Sequence, residues 1–124
     1  MSDNRSKRIL AVDDEDGVLR FVRSALTHFG YEVVTATGGA LALELDRHSG
    51  PFDLLLTDLL MPNMRGDELA LKMHAVRPGI RILYMTGYPQ QLFQSRSKLD
   101  AHESLVEKPV TIDELHAAVQ RALA

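Results

Sequence analysis

Short apolar runs alternate with longer stretches of helical periodicity along the whole chain, and this alternation constrains the fold more than any other feature. RILAV (8–12), YEVVTA (31–36), DLLLTD (53–58), IRILYMT (80–86) and SLVE (104–107) have the length and composition of buried strands. Between the first two, Val18, Leu19, Val22, Ala25, Leu26 and Phe29 recur at steps of three and four, which predicts a helix that Gly30 stops. A second helix is expected after Gly38-Gly39 and ends at GPF (50–52). A third runs over 67–77 and is stopped by Pro78-Gly79. A weak, polar helix is expected over 90–99. Thr111 opens the last one, with Glu114 three residues on completing a capping box. Five strands alternating with five helices imply a parallel sheet with right-handed crossovers and helices on both faces. In such sheets the ligand crevice lies outside the carboxyl ends of the strands.

Composition narrows what that crevice serves. The 124 residues suffice for one domain, expected over 8–124, after a disordered polar tail at 1–7. A net charge of −3 and no basic run argue against nucleic acid or an anionic membrane as a partner. The chain has no cysteine, which excludes disulfides and thiolate metal sites. No segment approaches the roughly 20 apolar residues of a membrane span, and no apolar signal core follows Met1. The expected compartment is the cytoplasm. The five histidines (28, 48, 74, 102 and 116) share no metal-ligand spacing and read as surface residues. Met61, Met64, Met73 and Met85 read as packing, and Leu92 and Phe93 either as core or as a partly exposed partner-docking surface with the fifth strand and last helix.

The residues that end the strands carry the chemistry. The first strand ends in Asp13 and Asp14, the third in Asp58, the fourth in Thr86 and the fifth in Lys108. Parallel strands bring these ends to one rim. Two unit charges ~4 Å apart repel by roughly 4 kcal/mol at an effective dielectric of 20, so three carboxylates there need cationic compensation. Lys108 supplies one charge. A divalent, oxygen-seeking cation such as magnesium or manganese supplies the rest. Carboxylates, a divalent cation, a lysine and a hydroxyl make a phosphoryl-transfer site, with Asp58 the candidate nucleophile. Glu15 and Asp16 continue the acidic run but read as a helix start.

DDE (13–15), TDLLMPNMRG (57–66), MTG (85–87) and EKP (107–109), in that order and spacing, resemble the receiver domain of two-component response regulators over residues 8–124. The resemblance implies a flavodoxin-like (βα)5 fold with strand order 2-1-3-4-5. It implies that Asp58 accepts a phosphoryl group from a histidine kinase or histidine phosphotransfer protein. Magnesium would be held by Asp14, Asp58 and the Leu60 backbone carbonyl, and by Asp13 through water. Lys108 would pair with Asp58, Thr86 would swing in to the phosphoryl group, and the Lys108–Pro109 peptide would be cis. The domain would be a monomer or weak dimer and not a turnover enzyme.

Three positions bear on how far the family pattern holds. Leu105 stands where many receivers carry the Tyr or Phe that rotates with the threonine, so that coupling is not expected in its usual form. Leu60 and Tyr88 are bulky and cannot orient a hydrolytic water, so a long-lived phosphoryl group is expected. Two other functions compete. A phosphohydrolase of the haloacid dehalogenase type needs a second aspartate where Leu60 stands. A receiver-like binding module need not be phosphorylated at all. No output module or linker is visible, so the chain reads as a stand-alone receiver or a piece of a larger protein. LMPNMRGDELA and RPGIRILYMTGY resemble receivers attached to hybrid histidine kinases.

Overall fold

The computed structural model describes residues 6–94 and 96–124. The tail expected over 1–7 falls largely on 1–5, outside the described residues. The sheet contains β1 (Arg8–Val12), β2 (Glu32–Ala36), β3 (Leu54–Thr57), β4 (Arg81–Thr86) and β5 (Glu103–Glu107). All neighbours are parallel and the order is β2-β1-β3-β4-β5. Around it pack α1 (Asp16–His28), α2 (Gly39–Ser49), α3 (Gly66–Val76) and α4 (Ile112–Leu123).

The period of two along each strand divides the core into two layers. Ile9, Ala11, Leu54, Leu56, Leu83 and Met85 face α1 and α4, where Leu19, Val22, Leu26, Leu115 and Val119 close over them. Leu10, Leu55, Ile82 and Tyr84 face the other way, toward Ala42, Leu69, Met73 and Leu92. Each fully buried leucine or isoleucine is worth roughly 1.5–3 kcal/mol of transfer free energy, so the sheet faces dominate the stabilisation. Register follows from this pattern, because a one-residue slip would turn every apolar side chain to the wrong layer. Val12 is therefore opposite Thr57 and Ala36, and Thr86 is opposite Glu107.

Helix boundaries follow local chemistry. Gly30 has φ +94°, a left-handed conformation that a side chain would strain, and its amide donates to the Thr27 carbonyl beyond the end of α1. The expected capping box is formed: the Glu114 amide donates to Thr111 Oγ1 at 3.1 Å and the Thr111 amide to Glu114 Oε1 at 2.8 Å. The Gly50–Pro51 peptide, which follows α2, is cis, as is Lys108–Pro109.

The helix expected over 90–99 does not form. A 3-10 segment, Pro89–Phe93, stands there, residues 94 and 96–102 are irregular, and the described residues hold four α-helices rather than five. Pro89 opens the segment, and Leu92 anchors it at 2% exposure. Of the two readings of this pair, core packing holds for Leu92, whereas Phe93 is 39% exposed. Beyond it, Arg96 is drawn to Glu103 at the start of β5, and a continuous helix would have to break that pairing.

Candidate functional site: an acidic rim with one lysine

Asp13 and Asp58 are the residues that follow Val12 and Thr57, which pair across β1 and β3. The register therefore sets them side by side at the carboxyl edge. One carboxylate oxygen from each of Asp13, Asp14 and Asp58 lies within 4.8 Å of the others. Asp13 and Asp58 are buried and Asp14 is exposed. Lys108, which follows β5, reaches back to this group: Nζ is 2.9 Å from Asp13 Oδ2 and 3.5 Å from Asp58 Oδ2. The Lys108 amide donates to the Thr86 carbonyl at 2.9 Å, tying the ends of β4 and β5 together.

The two buried carboxylates are held differently. Asp13 is fully engaged, with Oδ1 accepting from the Glu15 amide at 2.9 Å and Oδ2 accepting from Lys108. Asp58 accepts at Oδ1 from the Leu59 amide at 2.8 Å and keeps Oδ2 turned to Lys108. The backbone packs closely behind it. A Cβ on Gly66 would collide with the Asp58 carbonyl, so the loop from Leu59 to Gly66 folds this tightly only with glycine there.

Burial raises the Asp58 pKa above the usual carboxylate value. Lys108 opposes that rise, the neighbouring Asp13 charge adds to it, and the Leu59 amide opposes it. For Lys108, burial alone would lower the pKa, but the hydrogen bond to Asp13 and the charges of Asp13 and Asp58 outweigh it, and the ammonium is stabilised. Three carboxylates against one ammonium leave two negative charges unbalanced. That donor set, all oxygen with a deficit of two charges, fits a hard divalent cation such as magnesium.

Each residue singled out in the sequence now has a place. Asp13, Asp14, Asp58 and Lys108 converge, although Lys108 is closer to Asp13 than to Asp58, the partner the resemblance implied. The reason is that Asp13 is the more deeply buried carboxylate and has an oxygen to spare once Glu15 has been satisfied. Thr86 is fully buried, and its Oγ1 accepts from the Tyr88 amide at 3.0 Å. Leu105 is half-buried, paired with Tyr84 in the sheet and packed on the α3 layer. Leu60 and Tyr88 are 37% and 58% exposed. The histidines are not uniformly at the surface. His74 and His102 stack at 3.8 Å, His116 stacks on Phe29 at 3.7 Å, and all three are half-buried.

Two polar networks were not visible in the sequence, one on the loop after β3 and one at the start of β5, the opposite edge of the sheet from the site. Arg65 binds both oxygens of Asp67, at 3.0 and 3.1 Å, and its Nη2 also donates to the Gln91 carbonyl at 3.2 Å. Arg96 binds both oxygens of Glu103 at 2.9 Å, and the Tyr84 hydroxyl donates to Glu103 Oε2 at 2.7 Å. Burial alone would raise the Glu103 pKa, but Arg96, Tyr84 and the Asp100 amide overcome it and bring it down to about 2. Glu103 is therefore saturated, although it clusters with Asp100 and His102.

A doubly wound sheet of order 2-1-3-4-5, with three carboxylates and a lysine at its carboxyl edge, defines an α/β domain of the flavodoxin-like class. The model of the response regulator receiver domain matches residues 9–120, and the chain belongs to that family. The response regulator receiver protein CpdR of Brucella abortus is 33% identical over 117 residues, covering 94% of this chain and 97% of CpdR. The sensor kinase CckA of the same organism is 31% identical over 119 residues, which are 95% of this chain but 13% of the kinase. Among solved structures, a CheY-like receiver domain protein from Methanospirillum hungatei superposes with a TM-score of 0.82 at 33% identity, covering 95% of this chain and 94% of that one. The chain is thus a receiver domain of two-component signalling, a family whose members take a phosphoryl group in a magnesium-dependent way and interact with histidine kinases or phosphotransfer proteins. Its acidic pocket is of the kind in which receiver domains bind magnesium. No helix among the described residues is long and apolar enough to cross a membrane.

Proposed function

We propose that Asp58 is the phosphoacceptor and that the domain switches a protein-interaction surface when Asp58 is phosphorylated by a cytoplasmic histidine kinase or phosphotransfer protein. The observation that carries this reading is the buried Asp58 carboxylate, one oxygen held by the Leu59 amide, set beside Asp13, Asp14 and a single lysine. An Asp58 oxygen forms the new O–P bond as the P–N bond of a phosphohistidine breaks, and the electron pair returns to the imidazole nitrogen. Magnesium or manganese, when bound, supplies positive charge to the transferring phosphoryl oxygens. Asp14, Asp58 and the Leu60 backbone carbonyl would hold it, a reading that the convergence of Asp14 and Asp58 supports. Asp13 acts through water, because both of its oxygens are already engaged. Lys108 then neutralises the phosphoryl group, and Thr86 donates to it in place of accepting from Tyr88. Leu60 and Tyr88 are bulky and neither offers a carboxylate or an amide to orient a hydrolytic water, which supports a long-lived phosphoryl group.

Incubating the protein with acetyl phosphate and magnesium should add the mass of one phosphoryl group. Asp58→Ala or chelation of the metal should abolish the addition. Steady release of phosphate from a phosphate ester would point to a hydrolase instead. Loss of the label within seconds in magnesium buffer would contradict the long lifetime.

A further inference from the structure

Leu105 has no hydroxyl to bury or release, so a receiver with this residue needs another route from the phosphoacceptor to its surface. The structure contains one. The Leu59 amide donates to Asp58 Oδ1 at 2.8 Å, and the Gly66 amide donates to the Leu59 carbonyl at 2.8 Å, closing the phosphoacceptor loop. Arg65, inside that closed loop, donates to the Gln91 carbonyl at 3.2 Å while Asp67 clamps its guanidinium from the other side. The Gln91 amide donates to the Tyr88 carbonyl at 3.0 Å, and the Tyr88 amide donates to Thr86 Oγ1 at 3.0 Å. A continuous path of backbone and hydrogen bonds therefore links Asp58 to Thr86 around the outside of the site, and Arg65 is its only side chain that spans two separate segments. No charged group other than Arg65 joins the loop after β3 to the Pro89–Phe93 segment among the described residues.

We infer that Arg65 is a positioning residue that latches the Pro89–Phe93 segment to the phosphoacceptor loop in the resting state, and that phosphorylation of Asp58 releases this latch. The inference rests on the assignment of Asp58 and Thr86 given above. A threonine hydroxyl that turns to the phosphoryl group abandons the Tyr88 amide. Tyr88, which leads into the 3-10 segment, then loses its hydrogen bond to the end of β4, the Gln91 carbonyl shifts, and a single 3.2 Å hydrogen bond at a half-exposed arginine is the weakest link. Leu92, buried beside Gln91, moves with it, and so does the edge of a groove of about 400 Å³ that Leu92 lines with Asp67, Leu71, His74 and Tyr84. The Arg65–Gln91 bond exists only at rest, so removing it favours the released state. By linkage it must then also favour the phosphorylated site.

The test uses the intact chain with beryllofluoride and magnesium as a stable mimic of the acyl phosphate. Amide hydrogen exchange is followed at Gln91 and Leu92, and beryllofluoride affinity is measured by titration. In the wild type, beryllofluoride should speed exchange at Gln91 about tenfold or more. In Arg65→Ala the resting protein should exchange within about twofold of the loaded wild type, and beryllofluoride should bind roughly three- to tenfold tighter. Arg65→Lys, which keeps the charge but not the fork that reaches Asp67 and Gln91 together, should follow Arg65→Ala. A purely structural arginine would lower the melting temperature and leave the affinity unchanged, and that result would overturn the latch. Unchanged Gln91 exchange in the loaded wild type would overturn it as well. A wild type that takes no beryllofluoride, or an Asp58→Ala variant that does, would overturn the phosphoacceptor assignment itself and the latch with it.

Discussion

At the carboxyl edge of β1 and β3, and in the stretch from Pro89 to Glu103, the chain places charged groups against its core, and the two regions balance them differently. The edge leaves two negative charges unmatched and spends its only cation, Lys108, mainly on Asp13. Along the other stretch, Glu103 is met by Arg96, Tyr84 and the Asp100 amide until no lone pair is free. One carboxylate is pushed above the ordinary carboxylate pKa and the other is brought down to about 2. Under the proposed function, the first region would gain a cation and a phosphoryl group. The second replaces a helix and holds irregular chain in place with ion pairs. Electrostatic frustration marks the site that reacts, and its absence marks the region that only has to hold shape until the latch opens.

The sharpest contrast concerns packing. Leu55 sits in the centre of the sheet and Leu92 on the 3-10 segment, and both are buried. Leu55→Ala should cost about 3–5 kcal/mol in chemical denaturation, because strands on either side cannot collapse into the gap. Leu92→Ala should cost about 1–2 kcal/mol, because a five-residue segment can settle over it. Equal losses would mean that the segment is as rigid as the sheet.

A smaller effect separates the two carboxylates by pH. The Glu103 pKa is depressed on folding, so its contribution is present above the unfolded value near 4.3 and is lost as pH falls toward about 2. Glu103→Gln should lower stability by roughly 2 kcal/mol at neutral pH and flatten the acid limb of the melting curve between about pH 4 and pH 2. A variant with the wild-type acid limb would break the comparison.

The smallest effect has the opposite sign. The Asp58 pKa is raised on folding, so its ionised form costs stability above the ordinary carboxylate value. In metal-free buffer at neutral pH, Asp58→Asn should melt roughly 2–4 °C higher than the wild type, and the gain should fade as pH falls through the raised Asp58 pKa and be gone below the ordinary aspartate value near 3.9. Magnesium should close the gap by stabilising the wild type more than the variant. A variant no more stable than the wild type would show that the rim is not frustrated.

Much of this was legible from residue order, and the failures have a common cause. The runs RILAV and DLLLTD announce central strands because they are apolar on both faces. Thr111 and Glu114 announce a helix start because a capping box closes within one turn. Aspartates at the ends of β1 and β3 had to meet once the strands were parallel. The segment 90–99, read as a weak and polar helix, carries no strong apolar pattern to fix its conformation. Its fate was decided by Arg96 finding Glu103 and by Pro89 opening a 3-10 turn, which periodicity does not register. The sequence by itself therefore determined the alternation of elements, the layering of the core and the set of charged residues at the rim, all of which follow from local pattern. Only the tertiary structure decided that Lys108 would lean on Asp13, 95 residues away, that Thr86 would cap Tyr88, and that Arg65 would reach Gln91. Those choices depend on which of several nearby polar partners is the more buried and the less satisfied, a competition that exists only once the chain has folded.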